Sequence, residues 1–193
     1  MFSGIIQDIG KIISLSKFDN FIRVSIKSNI KGYKIGSSIC CSGICLTVTS
    51  ILKKNIFTVD VSPETLDKTN ANSWTKGMTI NIENSLKLGD EISGHFVFGH
   101  VDGIGKLMAI KEISNCWAIK IELPKNLKKF IAQKGSVSLN GVSLTINNVK
   151  SDIIELMLIP HTFKNTTFSQ LKINSLINIE VDMLARYSLF LKK

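Results

Sequence analysis

No apolar run in the 193-residue chain approaches the roughly 18 to 20 residues that a membrane-spanning helix needs. Met1 leads straight into Phe2, Ser3 and Gly4 without the basic start of a secretory signal, so the expected location is the cytoplasm and no membrane partner is expected. Blocks of like charge are missing too. Residues 1–95 hold 11 Lys and Arg against 8 Asp and Glu, and residues 96–193 hold 13 against 7. The formal charge of +9 is therefore a scatter of Lys among Ile and Asn, a solvated surface rather than a track for nucleic acid. The 4 cysteines, Cys40, Cys41, Cys45 and Cys116, lack any C-x-x-C spacing. Adjacent Cys40 and Cys41 point to opposite faces of a strand and read as reduced thiols. His95 and His100, five apart in a strand, also face opposite ways with no third ligand nearby, so no metal centre is expected. P-loop, G-x-G-x-x-G, H-E-x-x-H, G-x-S-x-G and ion-ligand loop are all absent, which disfavours the classes those motifs announce.

What the chain does contain is a repeat. Gly43, Ile44, Cys45, Leu46, Thr47, Val48 and Thr49 return as Gly141, Val142, Ser143, Leu144, Thr145, Ile146 and Asn147, at an offset of 98. Ser3–Ile6 and Ile9–Lys11 return as Phe98–Val101 and Ile104–Lys106, at 95. Pro63–Leu66 with Thr69 returns as Pro160–Phe163 with Thr166, and Ile80–Glu83 as Ile177–Glu180, both at 97. Small drifts in offset are loop insertions, which surface connections tolerate. The chain reads as two copies of one domain, 1–95 and 96–182, followed by a tail at 183–193.

Each copy predicts short strands over 4–15, 21–28, 38–51, 56–62, 79–84 and a closing strand at 96–101, with a helical turn at 63–69 and 160–166 where Pro stands at a first helical position. Six antiparallel strands of this length make a small all-β barrel. Further helical turns are expected at 123–132 and, more weakly, at 28–33. In the 43–49 stretch Ile44, Leu46 and Val48 alternate with Cys45, Thr47 and Thr49. The apolar set fills the barrel, so the thiol and hydroxyls point outward and any chemistry sits between barrels. In the tail, Asp182 can cap a short helix whose Leu184, Tyr187, Phe190 and Leu191 share one face. So short a helix needs a packing partner, either the chain's own barrels or a neighbouring subunit.

Cys45 on that outward face can be a nucleophile or a small half-buried packing residue, and Thr47 and Thr145 are equivalent hydroxyls in the two copies. His100, beside Gly99, suits a place where backbone approaches a ligand. Asp60 and Asp182 break the repeat, their counterparts being Met157 and Ser85.

These stretches resemble the riboflavin synthase (alpha chain) family of lumazine-binding proteins over essentially the whole length. The resemblance rests on Met-Phe-Ser-Gly-Ile-Ile at 1–6, Gly-Ile-Cys-Leu-Thr-Val-Thr at 43–49, Ser-Pro-Glu-Thr-Leu at 62–66 and Gly-His-Phe-Val-Phe-Gly-His-Val-Asp-Gly at 94–103. Gly-Val-Ser-Leu-Thr at 141–145, Ile-Pro-His-Thr at 159–162 and Asn-Ile-Glu-Val-Asp-Met-Leu-Ala-Arg-Tyr at 178–187 complete it. It implies two tandem six-stranded Greek-key barrels, a carboxy-terminal helix that gathers three chains into a homotrimer with sites between subunits, and a reaction without cofactor or metal. That reaction is the dismutation of two 6,7-dimethyl-8-ribityllumazine molecules.

Carried over residue by residue, the resemblance implies a first pocket of Gly4, Ile5, Ile6, Cys45, Leu46, Thr47, Asp60, Val61, Ser62, Pro63, Glu64 and Thr65. It implies a second of Gly99, His100, Val101, Lys134, Ser143, Leu144, Thr145, Leu158, Ile159, Pro160, His161, Thr162 and Phe163. Ile6, Leu46 and Ile159 would cover the ring face. Cys45 would assist addition at the ring, and His100 and Asp182 are candidates for proton transfer or positioning. Phe98, Asn140 and Ser93 depart from the usual Gln, Asp and Gly, and remove no matched pocket residue. A non-catalytic lumazine- or flavin-binding protein of the same superfamily is the rival reading. A flavin-reductase barrel is not, because it needs a nucleotide-binding domain that this length lacks.

Overall fold

The computed structural model describes residues 1–53 and 55–191. Barrel one is built from β1 (Asp8–Phe18), β2 (Phe21–Lys27), β3 (Ser38–Cys41), β4 (Ile44–Lys53), β5 (Ile56–Val61) and β6 (Thr79–Asn84), closed in the order β1-β2-β5-β4-β3-β6. Barrel two repeats it with β7 (Gly103–Ile113), β8 (Cys116–Glu122), β9 (Ser136–Leu139), β10 (Val142–Lys150), β11 (Ile153–Leu158) and β12 (Leu176–Val181). Helices α1 (Pro63–Lys68) and α2 (Pro160–Lys164) occupy the expected places, each followed by a short 3-10 turn, and α3 (Met183–Phe190) ends the described chain. The turn expected at 123–132 is a 3-10 helix over Lys125–Phe130, whereas 28–33 is not helical. Among the described residues no helix is long and apolar enough to cross a membrane.

Two strand expectations need correction. The 38–51 stretch is a hairpin rather than one strand: Ser42 and Gly43 take positive φ, 47° and 83°, and turn β3 back onto β4. Turn residues of that hand favour a two-residue hairpin. The closing strand expected at 96–101 does not form, because β6 pairs with β1 and closes the barrel without it. Only an isolated bridge, Phe2 to Val97, survives from that segment. The count of six strands stands, with the hairpin supplying the sixth.

Alternation decides the interiors. Ile12, Val24, Ile26, Ile39, Phe57, Val59, Ile80 and Ile82 are essentially sealed in barrel one, and Leu107, Ile119, Ile121, Val137, Leu139, Ile146, Ile177 and Ile179 in barrel two. Each such side chain contributes about 1.5 to 3 kcal/mol by leaving water.

The outward faces of β6 and β12 are buried as well, because the barrels pack there around a pseudo-twofold axis. The Asn81 side chain donates to Asn140 O at 2.9 Å and accepts from Thr167 N at 2.8 Å. Its counterpart Asn178 donates to Ser42 O at 2.8 Å and accepts from Asn70 N at 2.7 Å. Each amide spends donor and acceptor on the opposite barrel, so the interface holds one register and leaves no unpaired polar atom on these two side chains.

The connections cross over. Phe2 and Val97 bridge at 2.7 and 3.1 Å, with both side chains buried between the barrels. From that bridge the two segments run to opposite partners: Ser143 N of barrel two donates to Gly4 O at 2.8 Å, and Cys45 N of barrel one to Gly99 O at 2.9 Å.

Candidate active site

The crossover makes two cavities that correspond residue by residue. One, of about 250 Å³, is lined by Ile44, Cys45, Glu64, Thr65, Lys68, Thr69, Gly99, His100 and Val101. The other, about 100 Å³, is lined by Val142, Ser143, His161, Thr162, Asn165, Thr166, Gly4, Ile5 and Ile6, the repeat equivalents in the same order. Each has an outward strand position (thiol or hydroxyl) on one wall, the start of a short Pro-initiated helix on a second, and a glycine-bearing segment on the third.

The glycines are required by contact. Gly99 has φ +76°, and a Cβ there would stand 2.6 Å from Cys45 N and Cβ. Gly4 has φ +77° and the same relation to Ser143, at 2.7 Å from N and 2.6 Å from Cβ. A side chain at either position is both strained and overlapping.

The grouping expected from sequence is therefore crossed. Gly4, Ile5 and Ile6 join Ser143 rather than Cys45, and Ile6 packs on the core of barrel two. Gly99, His100 and Val101 join Cys45, with Val101 on the core of barrel one. Strand alternation turns Leu46, Val61 and Leu158 into the barrel interiors, so these side chains line neither cavity; Leu144 also leans on its core. Ser62 caps α1, accepting from Thr65 N at 3.2 Å, and Pro63 and Pro160 open their helices. Thr47, Thr145 and Ile159 are exposed next to the cavities' strands and helix, outside the two linings. Phe163 stacks on Trp117 with centroids 3.8 Å apart, walling α2 against β8. Lys134 sits exposed on the turn before β9, with φ +65°, and lines neither cavity.

Asp60 is not free. Arg23 grips both its oxygens, at 2.7 and 2.8 Å, while the guanidinium lies 5.3 Å from the stacked Phe18 and Phe21 rings. Asp182 caps α3 through Leu184 N at 2.9 Å, and its charge acts on His95.

His95, which the sequence offers only as half of a metal pair, holds a different place in the structure. Its Nδ1 lies 2.7 Å from Ser143 Oγ, and its Nε2 is buried with no partner among the described residues. Burial holds the ring below the ordinary imidazole range, and Asp182 pulls partly the other way. A neutral imidazole against a hydroxyl that opens onto a cavity can take that hydroxyl's proton or fix its direction. Cys45 has no such neighbour among its hydrogen bonds; it packs beside Cys40, its cross-strand partner, and Phe2. The two sites are alike in backbone and unlike in chemistry.

A duplicated β-barrel protein with paired, glycine-floored cavities is a small-molecule binding class, and comparison with known proteins narrows it. The lumazine binding domain model matches residues 3–85 and again 98–182. Riboflavin synthase of Brucella abortus (strain 2308) is 41% identical over 194 residues, covering 97% of this chain and 96% of that protein. Riboflavin synthase of Bacillus subtilis (strain 168) is 42% identical over 189 residues, covering 97% and 87%. The crystal structure of LumP complexed with riboflavin superposes with a TM-score of 0.85 at 25% identity, covering 94% of this chain and 99% of that one. The chain belongs to the riboflavin synthase family of lumazine-binding proteins.

Proposed function

We propose that the chain catalyses the transferase reaction of its family, in which one 6,7-dimethyl-8-ribityllumazine passes a four-carbon unit to a second, giving riboflavin and 5-amino-6-ribitylaminouracil. The observation that carries this reading is the residue-by-residue equivalence of the two cavities. Two molecules of one substrate call for two similar sites, and holding both in register converts a slow encounter into an oriented one. The exchange also calls for unlike roles, since one partner must lose a proton while the other is attacked. The Cys45 site and the Ser143–His95 site differ in just that respect.

The reading uses no cofactor or metal, and turnover is expected to persist in a strong chelator; a loss reversed only by added metal would contradict it. The backbone groups of Ile6 and Val101, beyond the glycines whose own N–H and C=O are already spent, and the hydroxyls of Thr65 and Thr162 supply hydrogen bonds to a pyrimidinedione edge, while the Ile6 and Val101 side chains supply apolar cover. We extend the reading to functional units at 1–95, 96–182 and 183–193, a cytoplasmic enzyme and a homotrimer. The exposed Leu184, Tyr187, Phe190 and Leu191 of the α3 segment support the trimer as a seam between subunits.

Incubating the pure protein with the lumazine and following flavin absorbance tests the activity. Binding without flavin formation would favour a carrier protein like LumP. Cys45→Ser is expected to lower kcat by about tenfold while moving the melting temperature little, because this side chain faces the cavity rather than a barrel interior. Equal losses of folding and turnover would make Cys45 structural.

A further inference from the structure

Two buried carboxylates remain without a part in the reaction. Glu83 and Glu180 are 1% and 4% exposed, on the faces of β6 and β12 turned away from the barrel interiors. The Oε1 of Glu83 accepts from Ser3 N at 2.7 Å and Ser3 Oγ at 3.0 Å, and its Oε2 from Gly4 N at 3.1 Å. The Oε1 of Glu180 accepts from Phe98 N at 2.6 Å, and its Oε2 from Gly99 N at 2.8 Å and His100 N at 3.1 Å. No Lys or Arg bonds to either one among the described hydrogen bonds; backbone donors take that place. Desolvating a carboxylate is costly, and a barrel could seal itself with Ile here, so the arrangement points to the segments that the acids grip.

Those segments are the floors of the two cavities, and the crossover sends each floor to the other barrel. We propose that Glu180 and Glu83 are positioning residues that act across the barrels: Glu180, in barrel two, sets the Gly99–His100 floor against Cys45 of barrel one, and Glu83, in barrel one, sets the Gly4 floor against Ser143 of barrel two. The tolerance is small, because the Gly99 backbone lies so close to Cys45 that even a Cβ would overlap it. A few tenths of an ångström lost at the carboxylate is lost at the cavity. Each site is then built by both repeats, and neither barrel can be altered at this strand without changing its neighbour's site. For its turnover consequence this inference rests on the function proposed above; its geometric core does not.

Ionisation matters to the grip. Both oxygens of Glu180 accept N–H groups, so a protonated carboxyl must turn its O–H toward one of them. Burial first, and the charge of Asp102 with it, push Glu180 up to about 7 against the restraint of its three donors. The groups facing it are Asp102, which pairs with Arg186, the Cys40 thiol and Ser138 across the strand pair; the His100 ring rides on the gripped segment itself. As pH falls through about 7 the carboxyl gains its proton and the floor loosens.

The experiment is alkylation of the folded full-length chain by iodoacetamide, read by peptide mass mapping, with half-buried Cys116 as internal reference. Glu180→Gln is expected to raise the Cys45 to Cys116 rate ratio about tenfold, with Glu180→Asp intermediate and Glu83→Gln without effect on it. In the unaltered chain the ratio rises as pH falls through about 7, and Glu180→Gln removes that dependence. Equal responses to the Glu180 and Glu83 substitutions, or no response in either folded Glu180 variant, would overturn the inference; a ratio flat with pH in the unaltered chain would overturn its dependence on ionisation. If the thiol ratios behave as expected while no variant or unaltered chain forms flavin, the function is wrong and the positioning stands. With activity present, Glu180→Gln raises KM more than it lowers kcat, since it disturbs binding geometry and removes no proton-transfer group.

Discussion

Residues 1–95 made alone are expected to fold, to pair with themselves, and to turn over lumazine about 100-fold or more slowly than the full chain. Folding follows from a closed barrel whose strands all lie within 8–84 and whose core takes from beyond residue 95 only the partly buried Val101 and a cover for Cys40 and Phe2. Pairing follows from the crossover. The fragment keeps the Ser3–Ile6 segment and the Glu83 that grips it but loses the Ser143 strand on which that segment lies. It also keeps Cys45 but loses the Gly99 floor. Gly4 and Gly99 share the same left-handed φ, so the Gly4 segment of one copy fits the Cys45 strand of another as Gly99 does in the whole chain. Each site of such a pair binds riboflavin at a Cys45-type cavity. Turnover collapses because both sites are then alike, and no Ser143 faces His95. Sedimentation gives the mass, fluorescence quenching the binding, and flavin absorbance the rate. A folded monomer that binds riboflavin fully would show that the crossing segment is no part of the site, and near-native turnover would remove the need for unlike sites.

The repeat was legible because identical local sequences recur at nearly one offset, and alternation correctly turned Cys45 and Ser143 away from the barrel interiors. The crossover was not legible. Gly4 lies next to barrel one in sequence, and neither periodicity nor propensity says on which of two equivalent barrels a short connecting segment will pack. The 38–51 hairpin was hidden for a local reason: Cys40, Cys41, Ile44 and Cys45 keep an apolar run through the turn, so only Ser42–Gly43 marks it. Glu83 and Glu180 did carry a signal. An acid repeated at an otherwise buried Ile-Asn-Ile-Glu strand is costly unless it grips something, and the repeat makes Glu83 and Glu180 equivalent without disclosing the backbone each one holds. The pairing of Asp60 with Arg23 was not legible, because it depends on the β2–β5 register, which a single sequence does not disclose.

His95→Ala is expected to lower kcat by about 100-fold with little change in KM, and Ser143→Ala to do the same. The pair acts as one unit: the hydroxyl opens onto the cavity, and the imidazole behind it, 2.7 Å away, sets its proton. The double substitution should therefore cost no more than either single one, whereas losses that multiply would show two independent roles. The pH dependence follows from the neutral ring. Burial depresses the His95 pKa, so the folded chain favours the uncharged imidazole; as pH falls from the ordinary value of 6.5 toward the lower folded value the unfolded chain takes the proton first and stability declines, and the base function is lost when the folded ring is protonated. The activity that depends on this ring should persist into mildly acidic solution and fall only beneath that value. Asp182→Asn removes the charge that raises the ring's pKa, which should carry that fall to still lower pH and weaken the base, lowering kcat less than the loss of the ring itself. His95→Gln separates packing from chemistry, since it fills much of the same buried volume and can still hydrogen-bond Ser143 without acting as a base. Near-normal turnover in a folded His95→Gln protein would reduce His95 to a packing and orienting group and leave the proton to be moved by a residue of the Cys45 site, where His100 is the exposed candidate.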